Sequence, residues 1–211
     1  MIDPAASPVI LVHGLWMHGL VMLPLARRLR REGFATHCWS YPTLRRSLSD
    51  NADALARFCR ERSLHEIRIV AHSMGGLVAL RMLERHADIA CTRLVLLGTP
   101  YLDSHAARRL ARWPGGSLLL GRGIAEWLAS PRPKPRAGCD IALVTGTRAL
   151  GLAALVARDL PPPHDGVVSL AETPVPGAHE LARLPVTHSG MLVSRAVAAR
   201  CAAFLRGGRA A

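Results

Sequence analysis

Short β-branched apolar runs alternate along the chain with longer stretches whose apolar residues recur every three or four positions. The first pattern reads as buried strand and the second as amphipathic helix. Strands are expected at about 9–12, 34–40, 67–71, 94–97 and 141–145, with a short last one at Val167–Leu170. Helices are expected across Leu20–Arg31 (ended by Gly33), from Ser49 or Asp50 to Arg62, from Met74 to His86, and at Ser189–Leu205. Such alternation calls for an α/β architecture: a mostly parallel sheet of about six strands with helices on both faces, forming three layers.

Two segments interrupt this rhythm. Residues 101–138 are too long for an ordinary crossover, hold Trp113, Leu118, Leu119, Leu120, Ile124, Trp127 and Leu128, and return through a stiff proline-rich stretch at 131–136. They read as a cap-like insertion over one edge of the sheet in a single domain spanning 1–211. The second segment, Pro161-Pro162-Pro163-His164-Asp165-Gly166, reads as a rigid loop, and Asp159 as part of a helical end before it.

The most informative run is Ile69-Val70-Ala71-His72-Ser73-Met74-Gly75-Gly76-Leu77. An apolar strand ends, a serine follows, and a helical pattern starts at once. A serine there sits on a sharp turn that pushes its hydroxyl out of the carboxyl edge of the sheet, and backbone crowding demands small residues two before and two after it. Ala71 and Gly75 meet that demand, and Gly76 allows close packing of helix on strand. A plain helix N-cap is the simpler alternative for Ser73.

These residues resemble the α/β-hydrolase family, particularly its small lipases and esterases. The family pattern is Gly-x-Ser-x-Gly; Ala71 in the first place is a variant found among small bacterial lipases. Further landmarks follow in order: Val12-His13-Gly14-Leu15 is similar to the oxyanion loop, Gly98-Thr99-Pro100 to the end of the fourth strand, Asp165-Gly166-x-Val168 to the acid loop, and His188 to the histidine loop. In a doubly wound sheet ordered 2-1-3-4-5, the loops after strands one and three lie side by side where ligands bind. Topology therefore brings His13–Gly19 next to Ser73.

A serine hydroxyl needs a histidine to take its proton and a carboxylate to orient that histidine. The resemblance implies the chain order serine, acid, histidine. His188 meets it, with His164 and His179 as rivals; Asp165 is the acid chosen, with Glu172 and Asp140 as alternatives. The oxyanion donors implied are the backbone N–H groups of Leu15 and Met74, the latter at a helix N-terminus. His13 and His18 match no zinc spacing, and His13 is expected to fix its loop by hydrogen bonding. No cofactor and no metal are expected.

The expected reaction is cleavage of a carboxylic ester, esterase- or lipase-like, through an acyl-enzyme. Trp16 and Met17 are expected to line the substrate pocket, and the apolar side chains of 101–138 either receive an acyl chain or merely cover the sheet edge. A thioesterase or acyltransferase on the same residues, or a non-catalytic binding module of the same fold, remains open.

Composition adjusts the picture only slightly. The formal charge is +12, and Lys134 is the one lysine among 27 basic residues. The arginines fall in clusters (27, 28, 30 and 31; 108, 109 and 112) that read as solvated helix faces, compatible with weak association with anionic surfaces. No nucleic-acid motif accompanies them, so no specific nucleic-acid partner is expected. Five cysteines, without a CxxC pair, suit a reducing compartment. No apolar run reaches the ~20 residues of a membrane span. Without a secretion-type N-terminus, the cytoplasm is the expected location.

Overall fold

A computed structural model describes residues 7–150 and 159–207. The helical end expected before Asp159 lies outside them. The strands are β1 (Val9–Val12), β2 (Thr36–Trp39), β3 (Glu66–His72), β4 (Ala90–Leu97), β5 (Asp140–Gly146) and β6 (His179–Leu184). They form one six-stranded sheet in the order β2-β1-β3-β4-β5-β6, with every neighbouring pair parallel. The predicted 2-1-3-4-5 order is thus present, and β6 extends it beside β5.

The helices are α1 (Leu23–Arg31), α2 (Leu48–Glu61), α3 (Met74–Arg85), α4 (His105–Ala111), α5 (Gly116–Ala129) and α6 (Arg195–Leu205). Successive strand residues point to opposite faces. Ile10, Val12, Ile67, Ile69 and Ala71 therefore pack with Leu55 of α2, Leu77 of α3 and Trp127 of α5. Val9, Leu11, Val70, Val95 and Leu97 pack with Leu25 and Leu29 of α1 and Val197 and Cys201 of α6. Both faces are covered, so all four residues of central β1 are buried.

Local signals explain several boundaries. Ser47 and Asp50 form a reciprocal capping box that starts α2. The first expected helix opens as a 3-10 turn at Gly19–Met22 before α1. The single closing helix expected at Ser189–Leu205 is instead a 3-10 turn at Ser189–Leu192 and a separate α6, because Ser194 caps the Val197 N–H at 3.3 Å.

The strand expected at Val167–Leu170 is not one. The N–H groups of Val167 and Val168 donate to Asp165 Oδ1 at 2.9 and 2.8 Å, so they are not available to a ladder. An isolated antiparallel bridge joins His164 and Ser169, and a 3-10 turn follows at Leu170–Glu172. The last strand is β6, whose mixed sequence His-Glu-Leu-Ala-Arg-Leu suits a half-exposed edge.

Residues 101–138 connect β4 to β5 and carry α4 and α5. Gly121 breaks α5 with φ 72° and ψ 174°; a Cβ there would lie 2.5 Å from Leu44 Cα, so only glycine permits this approach. On the return, the Arg136 guanidinium donates to the carbonyls of His86, Ala87 and Ile89, fastening the segment to the end of α3.

Candidate active site

Ser73 stands between β3 and α3 with φ 55° and ψ −127°, a region a residue with a side chain rarely visits. Its N–H donates to Leu97 O at 2.9 Å, and its carbonyl accepts from Gly76 N at 2.9 Å and from Thr99 Oγ1 at 3.1 Å. The turn is therefore held from both neighbouring segments. Its tightness shows at Gly75, where a Cβ would lie 2.5 Å from His13 O and 2.7 Å from Val12 O.

His188 and Asp165 come together from separate loops. His188 Nδ1 lies 2.7 Å from Asp165 Oδ2, and both residues are almost wholly buried. Burial works against ionising Asp165. The charge of His188 and hydrogen bonds from His188, Val168 and Val167 outweigh it and hold the carboxyl below its usual range. Gly98, at φ +56°, leaves room for the pair, since a Cβ there would stand 2.9 Å from Asp165 Oδ2 and 3.1 Å from His188 Nδ1.

Ser73 and His188 line one cavity of about 500 Å³. Leu15, Trp16 and Met17 bound it from the β1 loop and Val167 and Val168 from the acid loop. Leu110 of α4 with Leu120, Ile124 and Trp127 of α5 form its apolar wall. The residues of 101–138 thus wall the cavity rather than only covering the sheet edge. Trp16 also ties this wall to the β1 loop, its Nε1–H donating to Leu119 O at 2.7 Å.

A model of the alpha/beta hydrolase family matches residues 9–208. The chain belongs to that family. The mature lipase BlEst2 of Bacillus licheniformis superposes with a TM-score of 0.72 at 20% identity, over 90% of this chain and 88% of that one. The monoacylglycerol lipase of Paleococcus ferrophilus gives 0.62 at 16% identity, over 95% of each chain. Carboxylesterase CesB of Bacillus subtilis gives 0.59 at 16% identity, over 98% of this chain and 86% of that one. At such identities the likeness is one of fold. No curated protein matches the sequence.

Within this alpha/beta hydrolase the rival residues fall outside the cluster. Asp140 is exposed at the start of β5 and faces Arg93 at 3.5 Å. His179 is exposed at the start of β6, the strand end remote from the cavity. His164 accepts from Gly166 N at 3.1 Å and stabilises the acid loop. Glu172 accepts from Ser169 N at 2.7 Å and from His105 N, joining the acid loop to the first turn of α4. Burial, partly countered by those bonds, raises its pKa.

His13 is fully buried and spends its ring on the main chain. Nδ1 bonds Gly14 O at 2.9 Å, so it carries the hydrogen, and Nε2 accepts from Tyr41 N at 3.2 Å. Its loop-fixing part is as expected. His18 accepts weakly from Leu20 N and caps the 3-10 turn. The hydrophobic pattern does not single out two contributors: Ser104, the N-cap of α4, with Ala106, Ala107 and Leu110 on the helix itself, and His72, which packs against His188. The Ala-Ala-x-x-Leu spacing was the one local signal for α4; nothing local marks His72.

Proposed function

We propose that the protein is a serine hydrolase that cleaves carboxylic esters with a hydrophobic acyl group. The observation that carries this reading is that the strained Ser73 and His188, the latter paired with the buried Asp165, line the same apolar cavity.

Ser73 Oγ attacks the ester carbonyl while His188 Nε2 takes its proton, and Asp165 stabilises the imidazolium that forms. The carbonyl oxygen becomes an oxyanion held by the N–H groups of Leu15 and Met74. Met74 opens α3, where a helical amide has no intrahelical acceptor and the dipole favours negative charge. Gly14 brings the β1 loop beside the nucleophile: a Cβ on it would lie 3.0 Å from Ser73 Cβ. Trp16 N–H is engaged by Thr43 Oγ1 at 3.2 Å, which supports Leu15 as the donor of that loop. Collapse expels the alcohol, which takes the proton from His188, and leaves an acyl-enzyme. Water, deprotonated by the same histidine, then releases the acid.

Trp16, Met17 and the wall formed by residues 101–138, acting as a cap, receive the acyl group. A fluorophosphonate probe tests the reading directly. The intact protein is expected to be labelled and the Ser73→Ala protein not; an unlabelled intact protein would overturn it.

A further inference from the structure

We propose that His72 is a positioning residue: it ties the backbone of His188 to the strand that carries Ser73 and so keeps the base in register with the nucleophile. The inference rests on the serine-hydrolase reading and adds to it a group outside the Ser73–His188–Asp165 set.

His72 ends β3 and is fully buried. Its Nε2 lies 3.1 Å from the carbonyl oxygen of His188. A carbonyl only accepts, so Nε2 carries the hydrogen and Nδ1 is bare. Nδ1 has no hydrogen-bond partner, and a Cβ on Gly14 would lie 3.1 Å from it. The two imidazoles meet with centroids 4.5 Å apart and planes tilted by 48°. A single side chain therefore bonds the histidine loop and lies beside Gly14 while its own peptide bond leads into Ser73.

The bonds between His188 and Asp165 fix those two residues to each other, and neither reaches β3. The pair packs closely on Gly98, but that contact is not directional and leaves its position relative to Ser73 to be fixed by a hydrogen bond. The Nε2–H bond of His72 supplies the tie. The titratable groups around it are His188, Asp165 and His13. Burial, reinforced by the His188 charge, pushes the His72 pKa down to about 3, so its ring stays neutral and does not oppose the imidazolium of His188.

The test compares His72→Phe, which keeps bulk and removes the donor, with His72→Gln, which keeps an N–H. The readouts are p-nitrophenyl butyrate kinetics, fluorophosphonate labelling rate and thermal melting. Because a misplacement on the order of 1 Å costs up to about 100-fold, H72F is expected to lose at least about 10-fold in kcat and in labelling rate, with KM within about two-fold. H72Q is expected to recover most of both. Parental kcat in H72F, or equal losses in H72F and H72Q, would overturn the proposal. If H72F does not fold, His72→Met takes its place with the same expectations. If neither donor-less variant folds, the bond serves stability rather than position and the proposal fails. An unlabelled parent protein would overturn the serine-hydrolase reading and this inference with it, whereas parental labelling in H72F would overturn this inference alone.

Discussion

His188 and Asp165 are joined twice, by the Nδ1–Oδ2 contact of 2.7 Å between side chains and by the His188 N–H donating to the Asp165 carbonyl at 2.8 Å. The second bond sets the distance between the two loops, and the first sets the imidazole plane. Orientation of the His188 imidazole is thus built into backbone pairing and does not depend on the side chains alone.

Replacing Asp165 by Asn keeps the shape but lets the ring settle in the wrong tautomer. Asp165→Asn should lower kcat for a p-nitrophenyl ester by about 10³- to 10⁴-fold. Steady-state kinetics check this; a loss under about 10-fold would mean that another group orients His188.

Asp165 also predicts a pH dependence of stability. A carboxyl whose folded pKa is depressed adds stability above its unfolded value and loses it as pH falls through the folded one. The parent should lose this contribution below about pH 4, and D165N has none to lose. Thermal melts should therefore show the parent's advantage over D165N narrowing from pH 6 towards pH 3.

Ser73 occupies a backbone conformation that glycine adopts without strain. Ser73→Gly should abolish ester turnover while raising unfolding stability by about 1 kcal/mol, measured by urea denaturation. Unchanged or lower stability would mean that the side chain packs well enough to offset the strain.

Glu172 separates structure from chemistry. Glu172→Gln weakens the carboxylate's bonds to Ser169 N and His105 N and should cost about 1–2 kcal/mol of stability. Its kcat should stay within a few-fold of the parent, in contrast to D165N. A loss comparable to that of D165N would reinstate Glu172 as the acid.

The wall of the cavity predicts chain-length selectivity. Ala106 lines it and is partly exposed, so an indole there occupies acyl space without forcing the core apart. Ala106→Trp should lower kcat/KM for p-nitrophenyl octanoate at least about 10-fold more than for the acetate, since each displaced methylene is worth about 1 kcal/mol or more. Equal effects on both esters would place the acyl group elsewhere.

Much of the sheet was legible because β1 and the inner segments 67–71, 94–97 and 141–145 of β3, β4 and β5 are largely apolar and buried, a pattern that the chain shows without knowledge of its neighbours. Two readings failed for opposite reasons. Val167 and Val168 are apolar because they wall the cavity, and their amides serve a carboxylate instead of a partner strand. His179–Leu184 is a strand despite three charged or imidazole side chains, because β5 offers an open edge and the outer face stays in water.

Local sequence alone determined the elbow. Ala71, Gly75 and Gly76 around Ser73 state the steric demand of a strand–turn–helix bend within a few residues, and no distant contact is needed to read it. Only the tertiary structure decided which acid meets His188, that α4 and α5 wall the cavity, and that His72 grips the histidine loop. Those relations join residues 23 and 116 positions apart, and they are set by how loops from different strands land on one sheet edge, where buried polar groups must find partners.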